Sequence, residues 1–236
     1  MIPERQNILG IIPARGGSKG IPRKNIRPLN SRPLIYYSIQ AAQESKLLTH
    51  WIVSTEDTEI NRIAETLGAK VVPRPGFLAM DETPMLPVIQ HTISSLPHNF
   101  DTVFILQPTC PLRTGNDIDG AIRTHIQCAS DSVVSVYRVE DTHPGRMYRI
   151  EKGNLKPYAS ELISLNRQDL PHVYHRNGAL YGTRTDIVMD GSLYGNTIVP
   201  YIMPRERSLN IDDPFDWQMA ECILKQESRD ASHSKR

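Results

Sequence analysis

The sequence predicts an α/β domain built on a mainly parallel sheet. Short apolar runs alternate with amphipathic stretches of helical length over the first 140 or so positions, the rhythm of consecutive βαβ units. A basic, glycine-rich loop directly follows the first apolar run. No apolar run approaches the ~18 residues of a membrane span.

The elements follow in order. Ile8 to Ile12, ending at Pro13, predicts a buried strand, and Arg15 to Asn30, rich in Gly, Pro, Lys and Arg, a loop. Leu34 to Leu48 has a helical pattern with Ile35, Ile39 and Ala42 on one face. Trp51 to Ser54 is a strand, Glu59 to Leu67 a helix capped by Gly68, and Lys70 to Val72 a strand. Pro84 to Ser95 is a helix with its proline in the first turn. Thr102 to Leu106 is a strand, Gly115 to Cys128 a helix and Ser132 to Tyr137 a strand.

The rhythm then breaks. Asp141 to Tyr174 lacks a βαβ pattern and contains a hairpin-like turn at Arg149 to Leu155, so about 141–175 is predicted to be an inserted arm. Short strands near Ala179 to Tyr181 and at Ile198 to Met203 follow, then a helix from Pro214 to Lys225. Residues 1–226 form one domain on this reading, and 227–236 a disordered polar tail.

Composition narrows the function. The 236 residues carry a net charge of +1, so no global basic field points to nucleic acid. Cys110, Cys128 and Cys222 are odd in number and far apart, which argues against a disulfide framework or a cysteine metal site. Met1 to Asn7 is polar and precedes only a short apolar run, unlike a secretory leader with its apolar region of roughly 7–15 residues. A cytoplasmic enzyme that binds neither membrane nor nucleic acid is expected.

The first loop carries the chemistry. Gly16, Gly17 and Gly20 give a backbone able to approach an anion, and Arg15, Lys19, Arg23 and Lys24 concentrate positive charge beside it. A triphosphate needs such charge both to bind and to stabilise departing pyrophosphate. The spacing matches neither GxxxxGK[ST] nor GxGxxG. A merely flexible basic surface loop is the bland alternative. The position after a strand, at the ligand-binding edge of an open α/β sheet, favours phosphate.

The segment IPARGGSKGIPRKN, Ile12 to Asn25, resembles the signature of the acylneuraminate (CMP-nonulosonic acid) cytidylyltransferases. VSTED at 53–57, RP at 74–75, LQPTCPLR at 106–113, NGALY at 177–181 and NIDD at 210–213 recur in that family's order. The resemblance runs from about Ile8 to about Leu224. It implies a Rossmann-like, GT-A-like nucleotidyltransferase sheet with helices on both faces and a dimerisation arm. It also implies CMP transfer from CTP to a nine-carbon sialic-acid-type sugar acid, with Mg²⁺ as cofactor and a homodimer as the working form.

The resemblance assigns the nucleotide to Ala14, Arg15, Gly16, Gly17, Ser18 and Lys19, the cytosine side to Asn25 and Arg74, and catalysis to Lys24, Arg15 and Asp212. Gln107, Arg146, His175 and Arg176 fall at sugar-acid positions, with Arg146 on the arm directed to a partner's site. Mg²⁺ falls to Asp212 and, where the family has a second aspartate, Asn210. Asp213 and Asp216 are expected instead at the start of the last helix, where their charge favours its dipole. The rival readings are a cytidylyltransferase for the eight-carbon acid Kdo and a non-catalytic nucleotide-binding protein.

Overall fold

The computed structural model describes residues 6–163 and 166–233, with side chains described as far as residue 226 except that of Arg167. In chain order the elements are β1 (Ile8–Pro13), a small hairpin of β2 (Pro28–Leu29) and β3 (Arg32–Pro33), α1 (Leu34–Glu44), β4 (His50–Thr55), α2 (Thr58–Thr66), β5 (Lys70–Pro73), α3 (Met85–Ser94), β6 (Thr102–Leu106), α4 (Gly115–Gln127) and β7 (Ser132–Val139). Then come β8 (Tyr148–Glu151), β9 (Asn154–Pro157), β10 (Val173–Arg184), α5 (Thr185–Met189), β11 (Ile198–Ile202) and α6 (Pro214–His233).

Seven strands form one sheet in the order β11-β7-β10-β6-β1-β4-β5. β10 runs antiparallel to both β6 and β7, while the β1–β4, β1–β6, β4–β5 and β7–β11 pairs are parallel. The mainly parallel α/β expectation therefore holds, with one reversed strand. Chain order runs outward from β1 through β4 to β5 on one side and resumes with β6 on the other. That switch point opens a crevice at the carboxyl ends of the strands.

Alternation along β1 builds the core on both faces. Ile8 and Ile12 meet α1, α2 and α4 through Ile35, Ile39, Ile60, Ile118 and Ile122. Leu9 and Ile11 face α3 and α5 through Ile89, Ile93 and Val188. α6 packs Trp217, Ala220 and Leu224 against Ile21, Leu29, Leu34 and Ile211, which ties the first loop to the segment carrying Asp212.

Several expectations are corrected. α1 ends at Glu44, because the buried Asp119 of α4 accepts from the backbone N–H groups of Lys46 and Leu47 and turns the chain out of the helix. The strand expected near Ala179 to Tyr181 is twelve residues long and begins at Val173, where it pairs with Val139. The inserted arm thus closes at about residue 172, and its β8–β9 hairpin stands apart from the main sheet. The tail expected to be disordered from 227 is helical in backbone to His233, and residues 234–236 lie outside the described residues.

Candidate active site

The crevice at the sheet's carboxyl edge is a cleft of about 350 Å³. It brings together Arg15, Ser18, Lys24, Asn25, Arg74, Gln107, Asn210 and Asp212. Beside it lies a second pocket of about 410 Å³ lined by Tyr137, His175, Arg176 and Tyr181. Gln107, Asn210 and Asp212 line both, so the two pockets meet along that wall.

Lys24 starts a short 3-10 turn, and its ammonium donates to the Ile211 carbonyl at 2.8 Å. Burial holds its pKa below the ordinary lysine value, while Asp212 pulls the other way. The Asn25 amide donates to the Arg15 carbonyl at 2.9 Å, which turns that side chain into the cleft.

Two of the loop's glycines are also needed for close packing. The Gly16 N–H donates to Glu56 Oε1 at 2.6 Å, and a Cβ there would lie 2.4 Å from Asp57 Oδ2. A Cβ at Gly20 would lie 2.6 Å from the Asp212 carbonyl oxygen. Both glycines serve close backbone packing, and the N–H of Gly16 goes to a carboxylate. Ala14 is buried in the core, and Gly16, Gly17 and Lys19 are not among the lining residues of the cleft. Lys19 pairs with Asp81 at 3.0 Å, and Arg15 reaches the same carboxylate at 2.7 Å.

Arg74 follows β5 and its side chain is 4 % exposed. Its Nε and Nη2 donate to Glu56 Oε2 at 3.1 and 3.0 Å. Burial lowers its pKa and Glu56 raises it. The VSTED run thus supplies two braces: Glu56 joins Arg74 to the loop, while Asp57 caps α2 and holds Arg23. Sequence reasoning missed Glu56 and Asp81 as site residues.

Gln107 leaves the end of β6 and is held from below by Arg113. That guanidinium is buried and donates to the carbonyls of Gln107 and Ala179 at 3.1 and 2.8 Å and to Ser38 Oγ. Burial pushes its pKa down to about 10. Across the wall, β10 carries a bulge between Arg176 and Tyr181. Gly178 takes φ +78°, and Asn177 joins Ser135 of β7 to Ser208, just before Asn210. The bulge aims Arg176 into the second pocket, where its guanidinium lies over the Tyr181 ring and donates to the Tyr194 hydroxyl. His175 packs against Tyr137 with the two rings tilted by 49° and their centroids 5.4 Å apart.

Arg146 does not join either pocket of its own chain. It is exposed and pairs with Asp141 at 2.6 Å.

Asp212 presents an exposed carboxylate at the junction of the pockets. Asp213 and Asp216 cap α6 reciprocally, Asp213 accepting from the Asp216 N–H and Asp216 from the Asp213 N–H, as expected. One carboxylate plus substrate phosphates fits the oxygen set that Mg²⁺ prefers. Asn210 is turned otherwise: its amide donates to Asp212 at 2.6 Å while its carbonyl accepts from the Cys110 thiol at 3.5 Å. Among the described residues no group of three or more His, Cys, Asp or Glu has metal-binding proximity.

A doubly wound sheet with a basic loop and two adjoining pockets at its carboxyl edge is the architecture of a nucleotide-binding α/β protein. The cytidylyltransferase family profile matches residues 9–206, and the chain belongs to that family. It is 33 % identical to the N-acylneuraminate cytidylyltransferase of Escherichia coli O18:K1:H7 over 233 residues, 95 % of this chain and 54 % of that protein. The chain thus spans about half the length of that relative. It is 34 % identical over 230 residues to the CMP-N,N'-diacetyllegionaminic acid synthase of Legionella pneumophila, covering 92 % of this chain and 96 % of the other. Among solved structures, a CMP:2-keto-3-deoxy-manno-octonic acid synthetase complexed with CTP superposes with a TM-score of 0.71 at 15 % identity, over 94 % of this chain and 99 % of that one. At that identity the likeness concerns the fold alone.

Proposed function

We propose that this chain transfers CMP from CTP to the anomeric hydroxyl of a nine-carbon sialic-acid-type sugar acid and releases pyrophosphate. The carrying observation is the pair of adjoining pockets: one with Arg15, Lys24, Asn25 and Arg74, the other with Arg176, His175 and Tyr181, joined at Gln107 and Asp212. Relatives bearing nine-carbon acids in their names support the sugar class.

On this reading CTP lies in the first pocket with its base toward Asn25 and Arg74. Lys24 faces the α-phosphate and neutralises charge that builds there as the P–O bond to pyrophosphate breaks. Arg15, Ser18 and Lys19 hold the departing phosphates. The acid enters the second pocket, where Arg176, fixed by Tyr181 and Tyr194, holds its carboxylate with paired donors. Gln107 orients the sugar so that its anomeric hydroxyl faces the α-phosphorus, and positioning does much of the work. Asp212 receives the hydroxyl proton, its carboxylate oriented by the Asn210 amide. Mg²⁺ belongs to the same proposal: Asp212 would hold it, and it would supply charge neutralisation at the reacting phosphate.

The proposal includes a cytoplasmic homodimer. The arm's β8–β9 hairpin exposes the cross-strand pair Ile150 and Leu155, 77 % and 66 % accessible, which suits coverage by a second copy. There Arg146 would reach the neighbouring site. No described helix is long and apolar enough to cross a membrane.

Pyrophosphate release is the test, with Mg²⁺ and CTP, UTP or GTP against N-acetylneuraminic, legionaminic, pseudaminic and Kdo acids. Turnover with CTP and a nine-carbon acid is expected. Turnover with Kdo alone, or with none, would refute the proposal.

A further inference from the structure

The acidic groups around the first loop fall into two kinds. Glu56 is locked by three donors, the Gly16 N–H and two nitrogens of Arg74. Asp57 is locked as the cap of α2 and by Arg23. Asp81 is different. It lies on the segment between β5 and α3, outside the loop it contacts, and lines the first pocket. Among the described residues its carboxylate meets only Arg15 and Lys19, at 2.7 and 3.0 Å. These are two cations that the proposed function assigns to the departing phosphates. All three side chains remain partly open to solvent, so these contacts are exchangeable.

We propose that Asp81 tunes product release: it is a tethered carboxylate that competes with the pyrophosphate moiety for Arg15 and Lys19 and so weakens retention of the pyrophosphate product. The inference rests on the nucleotide reading of the first pocket. A dianionic or more highly charged phosphate chain displaces a single carboxylate from two cations. A lone α-phosphate, held at Lys24, does not meet the competitor. Asp81 therefore taxes CTP and pyrophosphate alike and leaves CMP alone. The tax on CTP is tolerable because the base contributes its own contacts at Asn25 and Arg74. Pyrophosphate has no base, so its net affinity falls closer to the threshold for release.

Each exposed ion pair corresponds to a factor of about 1.5 to 5 in an equilibrium constant. Removing the competitor from two cations therefore tightens pyrophosphate and CTP by about two- to twenty-five-fold. Because the effect is electrostatic and near the surface, it shrinks as salt rises.

The test is calorimetric titration of the full chain and its Asp81→Asn variant with CTP, pyrophosphate and CMP, at low and at high salt. Thermal unfolding of both proteins checks that the exposed substitution leaves the fold intact, and Asp81→Ser provides a second variant should Asn disturb it. The expected result is tighter CTP and pyrophosphate in both variants, unchanged CMP, convergence with wild type at high salt, and stronger inhibition of turnover by pyrophosphate. Weaker CTP binding in the variants would make Asp81 a ligand rather than a competitor and overturn the inference. Unchanged CTP and pyrophosphate affinity would overturn it too, leaving the nucleotide reading intact. Failure of wild type to bind CTP or pyrophosphate at all would overturn both.

Discussion

Replacing Glu56 by glutamine removes one negative charge from a site where the Arg74 side chain is 4 % exposed and the Glu56 side chain 19 %. The amide oxygen can still accept from the Gly16 N–H, but the amide nitrogen then confronts the guanidinium. Removing one partner of a fully buried ion pair costs about 3–5 kcal/mol. Glu56 is partly hydrated and one hydrogen bond survives, so a cost of about 2 kcal/mol is the better figure. For a chain of this size each kcal/mol moves Tm by about 2–4 °C, giving a fall of about 4–8 °C. Loosening Arg74 and the first loop together also raises KM for CTP by about tenfold. Differential scanning fluorimetry and initial rates at saturating sugar acid measure the two effects. Adding Arg74→Met to the variant recovers most of the Tm, since no buried charge is then left unpaired, but recovers none of the CTP affinity. A Tm within about 1 °C of wild type, with unchanged KM, would refute the bracing role of Glu56.

Four further outcomes follow from the same geometry. Lys24 must be protonated to neutralise phosphate, and burial sets its pKa below the usual 10.5. As pH rises through that lowered value the charge is lost, so kcat/KM falls on an alkaline limb whose midpoint lies below 10.5, and in Lys24→Arg that limb moves to higher pH. A Cβ at Gly182 would sit 2.5 Å from the Phe104 ring and 2.8 Å from Val133 at the centre of the sheet, so Gly182→Ala costs about 1–3 kcal/mol in urea unfolding. Asp212→Ala abolishes turnover while retaining CTP binding, read by initial rates and calorimetric titration, whereas Arg176→Ala raises KM for the sugar acid at least tenfold and leaves KM for CTP within about twofold by steady-state kinetics.

Much of the fold was legible because local rules decide it. Thr102–Leu106 is a strand over the expected residues, flanked by polar turns. Gly68, at φ +82°, ends α2, and Asp213 with Asp216 starts α6. Where the sequence misled, a distant residue overrode the local pattern. α1 is cut short by Asp119, 75 positions beyond its last residue, Glu44. β10 extends past its apolar centre because polar residues such as His175 and Arg176 pair with β7 while facing a pocket. The cations of the site were visible as a cluster along the chain. Their acidic partners were not, because Glu56 and Asp81 are separated from the loop in sequence and only the β1–β4–β5 side of the sheet brings them to it. Asn210, expected beside Asp212 at the metal, donates its amide to Asp212 and accepts from the Cys110 thiol, contacts that its position in the sequence does not reveal.

Phosphorus NMR of the full chain incubated with CTP, Mg²⁺ and a nine-carbon sugar acid tests the central claim most directly. The two-pocket account predicts a new phosphodiester signal from CMP joined to the anomeric carbon, growing in step with pyrophosphate. Growth of free CMP and pyrophosphate without the conjugate, or no change despite bound CTP, would contradict it.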